Sequence, residues 1–487
     1  MQTLWTITLC YIWCLCALGM WGIHRMALLA WLRRPDPTPR GSCLESHTVL
    51  IQLPLFNEAG VAARLIDSVC AIRWPNLRIQ VLDDSTDNTT EIVQNRVRHW
   101  VQKGVEISHI QRRDRVGYKA GALAHGLSID PAEFIAVFDA DFVPDPDFLI
   151  AAMPGFHAPE IGMVQARWGH INRDQNWLTR IQAMLLDGHF IIEHAARYRS
   201  GRFFNFNGTA GIWRRRTITE AGGWEHDTVT EDLDLSYRAQ LAGWSFVYLD
   251  WLVAPAEIPS TMRAFLSQQH RWAKGTAQTA RKLCHTIASA PLPAHVRIEA
   301  ITHLTMVFAY PAVLLLSILL PPSVAARAQL GAPMLPWADA IAVVATTVTI
   351  ACFYAIALKR GGEDVLKRWW EIPLAMSVGI GCSASQTLAV LAGLFSNDAT
   401  FVRTPKQGNP NAALRVPSAQ PARVLLTGAM TLYYCAAIAW AAVEGHWIAL
   451  PIMMLFGAGF AISFTCLIAE GQRIVEAVER DHPQPAK

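Results

Sequence analysis

Asp139, Ala140 and Asp141 follow an apolar run at residues 134–138. In an extended segment, side chains two positions apart point the same way, so both carboxylates can face one cation. Mg²⁺ and Mn²⁺ are hard cations that take carboxylate oxygens together with substrate phosphates, so the pair is a candidate holder of a metal-bound diphosphate. A second apolar run, 79–82, ends in Asp83, Asp84, Ser85, Thr86 and Asp87. Ser85 to Asn88 read as a turn that caps the next helix. The paired aspartates ask for more, either a hydrogen bond to a nucleobase or a share in the metal. Upstream, Gln52, Pro54, Phe56, Asn57 and Glu58 close the first apolar run, where Phe56 can lie against a base or in the core.

Thr230, Glu231 and Asp232 precede an amphipathic stretch. Thr230 is a good N-cap, and acids in a first helical turn suit the helix dipole. A helix start also fixes Asp232 well enough to make it a candidate general base. Gln268, Gln269, His270, Arg271 and Trp272 set an amide, a guanidinium and an indole side by side. Arg271 can neutralise a leaving diphosphate, and Trp272 offers a flat apolar face to a sugar ring. The same stretch also reads as a helix lying on a membrane, with Trp272 at the interface.

These residues need a frame. From about 47 to 297, short apolar runs at 49–53, 79–82, 134–138, 163–166 and 246–249 alternate with amphipathic segments. Such alternation predicts an α/β domain with a largely parallel sheet, whose ligands sit at the carboxyl ends of the strands. Around this domain the chain is apolar: 52% of its 487 residues are hydrophobic and 17% charged. A membrane protein with a globular domain fits both figures. The net charge of +3 gives no reason to expect a nucleic acid partner. The ten cysteines show no metal-ligand spacing, and no disulfides are expected.

Residues 4–23 are apolar and uncharged, and the basic residues that follow place their C-terminal end in the cytoplasm. Downstream, 301–320, 338–357, 372–395, 424–443 and 448–468 are apolar blocks. Basic loops precede and follow 372–395, so by the positive-inside rule that block enters and leaves on one face. The expected layout is a first transmembrane helix at 1–24, a cytoplasmic catalytic domain with interfacial helices at 45–297, and two transmembrane helices at 298–358. An interfacial or re-entrant helix at 372–395, a cytoplasmic loop at 396–423, two more transmembrane helices at 424–469 and a cytoplasmic tail at 470–487 complete it.

QLPLFNE at 52–58, VLDDS at 81–85, KAGAL at 119–123, DAD at 139–141, FNGTAG at 206–211, TED at 230–232 and QQHRW at 268–272 occur in one order. This series resembles the processive family 2 glycosyltransferases of the cellulose synthase superfamily, closest to the cellulose-synthase-like mannan synthases and xyloglucan-backbone glucan synthases. The resemblance covers about residues 49–276. It implies a GT-A-type domain inserted between the helices of a polytopic α-helical membrane protein. In that reading Phe56, Glu58, Asp83 or Asp84, Lys119 and Asp139 bind the nucleotide-sugar. Asp139 and Asp141 hold Mg²⁺ or Mn²⁺, and Asp232, next to Glu231, is the base. Phe206, Asn207, Gly208 and Thr209 form the acceptor-contacting loop, while Gln268, Arg271 and Trp272 line the donor and acceptor sites.

Phe401, Thr404 and Lys406 match the family's gating loop, although Arg403 stands where cellulose synthases usually carry valine. No PilZ-like regulatory domain is expected in the short tail. The implied activity is polymerisation of glucose or mannose, from UDP-glucose or GDP-mannose, into a β-glucan or β-mannan that crosses the inner (cytoplasmic) membrane. The rival is a non-processive membrane enzyme that puts one sugar on a lipid. A transporter is disfavoured, because the apolar blocks are almost free of charge.

Overall fold

The computed structural model describes residues 1–38, 47–331, 341, 343–398, 400 and 421–481. Seven strands form one sheet: β1 (Val49–Leu55), β2 (Leu77–Asp83), β3 (Ile107–Gln111), β4 (Phe134–Val137), β5 (Ile161–His170), β6 (Gly211–Arg214) and β7 (Ser245–Ala256). Their order is β3-β2-β1-β4-β6-β5-β7. The first four run parallel, β5 and β7 run parallel to each other, and β6 lies antiparallel between β4 and β5. All five expected strands are present. β3 and β6 are additions: β3 is a half-buried edge with polar residues, and β6 is four residues that read as the tail of a glycine loop.

β1 and β4 are buried almost throughout, as strands covered on both faces should be. Register brings the ends that matter together. Leu55 pairs with Asp83, and Gln52 with Val137, so Phe56, Asp84 and Asp139 leave the sheet on the same edge. Among the described residues, three non-glycine residues adopt positive φ: Asn57, Tyr118 and Ala210. Each adjoins or lies within a sequence motif, in keeping with the clustering of backbone strain at working sites.

Among the described residues, five helices are long and apolar enough to cross a membrane: Gln2–Trp31, Ala294–Gln329, Glu371–Phe395, Pro421–Val443 and Leu450–Arg473. The first continues past residue 24, because Leu28 and Leu32 join the aromatic core under the sheet. The block expected at 338–357 appears as a π-helical turn, Val344–Val348, leading into Thr349–Arg360; residues 332–340 and 342 lie outside the described part.

Glu371–Phe395 differs from the other four helices in being 61% buried, against 28–39% for them. Gly381 and Gly459 let it approach Leu450–Asp481 at backbone contact, where a side chain at either position would strike a carbonyl. Both of its ends meet polar groups. Glu371 lies 3.4 Å from Arg180 at one end, and at the other Asp398 pairs with Lys274 at 2.9 Å.

Candidate active site

One cavity opens at the carboxyl edge of β1, β2 and β4. On its first wall, Phe56 carries the Arg115 guanidinium 3.2 Å above its ring centroid, and Tyr118 flanks the same cation. Asp84 faces the cavity and is gripped by Arg112 through both oxygens, while Arg112 also holds the carbonyls of Val116 and Tyr118. That grip fixes the loop that delivers Arg115. Neither arginine was among the sequence candidates; the basic run between β3 and the KAGAL helix was the available signal.

Asp83, the other member of the pair, points away. It is buried, and accepts from Thr90 Oγ1 at 2.9 Å and Ser85 N at 2.9 Å, with His109 Nε2 at 3.0 Å. Burial works to raise its pKa, but the bonds from His109, Ser85 and Thr90 outweigh it and pull the carboxyl down to about 2. Of the two sequence candidates, the cavity takes Asp84.

Asp139 and Asp141 line the next wall with Glu58. Lys119 forms an ion pair with Asp139 and donates to Gly208 O at 2.9 Å, so one ammonium joins the DAD turn to the FNGTAG loop. Burial works to lower the pKa of Lys119, yet the carboxylates of Asp139 and Glu231 hold it above the usual lysine range. The Asp139 N–H donates to Thr209 Oγ1 at 2.9 Å. Thr209 therefore supports the turn from behind. Phe206 does not reach the cavity either; it is buried against Trp213. Asn207 and Gly208 do line the cavity.

The far wall is Glu231, Asp232, Gln268, Arg271 and Trp272. Glu231 and Asp232 open the helix Glu231–Leu241, and the last three sit on one face of Met262–Ser289. Burial, and then the charge of Asp232, push Glu231 up to about 7, and burial raises Asp232 as well. Glu231 is buried and Asp232 half-buried, and two such adjacent carboxyls share protons as a unit. Trp168, His170 and Glu257 also line the cavity and carried no sequence signal. Phe401, Thr404 and Lys406 lie outside the described residues.

Asp139 and Asp141 set hard oxygen donors on one wall, the donor type that Mg²⁺ or Mn²⁺ takes, so the site fits a divalent cation. A second acidic group, Glu225, Asp227 and Asp234, does not ask for one, because Lys282 pairs with all three.

A mixed sheet with DAD at the end of β4 and a buried acidic helix start facing it is the GT-A arrangement of glycosyltransferases. The family model described as glycosyl transferase family group 2 matches residues 134–356. A glucomannan 4-beta-mannosyltransferase of Arabidopsis thaliana is 49% identical over 242 residues, covering 48% of this chain and 45% of that relative. Another from Cyamopsis tetragonoloba is 43% identical over 269 residues, covering 54% and 50%. The chain thus spans about half the length of the curated relatives it matches. A mannosyltransferase from Pyrobaculum calidifontis, solved with GDP-Man and Mn²⁺, superposes with a TM-score of 0.53 at 20% identity, covering 81% of this chain and 100% of that one. The chain therefore carries a glycosyl transferase family 2 domain, and its mixed sheet has a GT-A-like fold.

Proposed function

We propose that the protein is an inverting, processive β-hexosyltransferase that extends a β-mannan or β-glucan from a nucleotide-sugar on the cytoplasmic face. The carrying observation is the meeting, in one cavity, of Asp139 and Asp141 with the buried Glu231, the half-buried Asp232 and Arg271. The relatives' mannosyltransferase names favour GDP-mannose over UDP-glucose as donor.

The nucleobase lies along Phe56 and Arg115, near Asp84. Mg²⁺ or Mn²⁺, held by Asp139 and Asp141, would supply charge neutralisation to the diphosphate. Arg271 adds a second positive charge beside the leaving phosphate. Trp272 presents its ring to the acceptor sugar. Asp232 accepts the proton of the acceptor hydroxyl as that oxygen bonds to the anomeric carbon. The bond to the diphosphate breaks on the opposite face, so an α-linked donor gives a β product. The raised pKa of the pair brings Asp232 nearer to a hydroxyl in basicity than a surface aspartate would be.

For the membrane part, helix 372–395 is proposed to lie along the cytoplasmic face. Its two ends bonding to Arg180 and to Lys274 support this, since both partners belong to the catalytic unit. Gln278 donates to Asp398 O at 3.1 Å, so the segment leading to the gating motif starts beside the site. Lys406 can then approach the donor phosphates, and the product leaves between the transmembrane helices into the inner membrane's far side. The observed packing favours polymer extension over the lipid-acceptor reading, because Met262–Ser289 joins the cavity wall directly to the apolar helices.

Purified protein incubated with radiolabelled GDP-mannose or UDP-glucose and Mg²⁺ or Mn²⁺ should yield polymer digested by a β-1,4-mannanase or β-1,4-glucanase. Label recovered only in a lipid-linked single sugar contradicts the reading.

A further inference from the structure

Asn207, on the cavity wall, is held at its amide by two histidines. His189 Nε2 lies 3.1 Å from its Oδ1, and His194 Nε2 lies 2.8 Å from its Nδ2. Both histidines belong to Gly188–His194, a π-helical stretch between Trp177–Asp187 and Ala195–Arg199. In an α-helix residues five apart diverge by about 140°. The wider π turn, bonded i to i+5, brings them to one side, and the two rings stand 4.3 Å apart. The stretch thus spends regular helix geometry to aim two imidazoles at one amide.

Behind His189 the chain of contacts continues. Its Nδ1 lies 3.2 Å from the Glu193 carboxylate, and Arg197 NH1 lies 3.5 Å from Glu193. Arg197 Nε donates to Glu299 at 3.0 Å, and Glu299 lies 2.8 Å from His24 Nε2 on the first helix. Arg197 is wholly buried and Glu299 nearly so. None of these five belongs to a motif, none lines the cavity, and the transfer step uses none of them.

We propose that His189 is the positioning residue of the acceptor side: with Glu193 behind it, it fixes the Asn207 amide and hence the loop against which the acceptor sugar lies. The inference rests on the transferase reading and deepens it. His24, on the first helix, anchors the far end of the chain of contacts.

The test uses the full-length protein in detergent, GDP-mannose or UDP-glucose, the divalent cation, and a β-1,4-mannan or β-1,4-glucan oligosaccharide as acceptor probe. His189→Ala should raise the acceptor KM about tenfold or more and leave the donor KM within about twofold. His189→Gln, whose amide can again donate to Asn207, should recover most of the loss. Should the alanine variant fail to fold, His189→Phe keeps a ring without hydrogen bonds and carries the same expectation. In a double variant with Asn207→Ala, the effects should fall short of additive, because the two residues act as one unit. Acceptor and donor KM moving together, or neither moving, overturns the inference while the transferase reading stands. A wild-type protein that transfers from neither donor overturns both.

Discussion

The proposed donor wall and the proposed acceptor wall of the cavity are built in different ways. On the donor wall, Phe56, Asp84, Asp139 and Asp141 follow the ends of three neighbouring parallel strands, and register alone brings them together. On the acceptor wall, Asn207, Asp232 and Trp272 come from a loop and two helices, held by contacts between residues far apart in the chain. Gln278 Oε1 accepts from Val229 N at 2.9 Å, just before TED, and Arg197 and Glu299 tie the π-helical stretch to the helix Ala294–Gln329. A sheet edge can present a donor site on its own. The proposed acceptor wall is braced through Glu299 of the apolar helix Ala294–Gln329 and His24 of the first helix.

The largest expected effect is at Asp232. Asp232→Asn keeps the shape but cannot take a proton, so turnover should fall by about 10³ or more while donor binding persists. Retention of a tenth of wild-type turnover would mean that Asp232 is not the base. Next comes stability. Arg197→Leu leaves Glu193 and Glu299 buried without their cation and should cost about 3–5 kcal/mol, read by thermal or denaturant unfolding. If the acceptor wall depends on the membrane contacts as described, acceptor use should fail in this variant before donor binding does.

Asp141→Ala should raise the concentration of Mg²⁺ or Mn²⁺ needed for half-maximal turnover, and a chelator should stop the wild type. Full activity in chelator excludes the metal from the donor wall. The smallest effect is on pH dependence. Asp232 must be a carboxylate to act, and burial raises its pKa above the usual aspartate range, so kcat should fall as pH drops, at a higher pH than an exposed aspartate would give. Glu231→Gln removes the carboxyl with which Asp232 shares its protons. Its acid limb should therefore move down by about a pH unit. A limb that stays in place would detach Glu231 from the base.

The difference between the walls also explains what the sequence revealed. The donor wall was legible because strand-end acids are local: each apolar run pointed to its own DD or DAD. The error there, treating Asp83 and Asp84 alike, arose because adjacent strand residues face opposite ways and the run does not show which side is the cavity. Phe206 and Thr209 were expected in the acceptor loop, yet one is core and the other a prop, since the left-handed turn at Ala210 sets which residues face inward. His189, Glu193 and Arg197 had no local signature. A π turn and an ion-pair chain reaching from His24 to Glu193 arise only from tertiary contacts. Likewise β3 and β6 took their places by pairing with neighbours rather than by apolar pattern.

The central claim, a single cavity that adds sugar after sugar to one retained acceptor, is tested most directly by chain length at low conversion. With acceptor oligosaccharide in large excess and donor limiting, the product should be a few long β-linked chains beside mostly unextended acceptor. A product in which every acceptor, or a lipid, carries one added sugar would contradict the account.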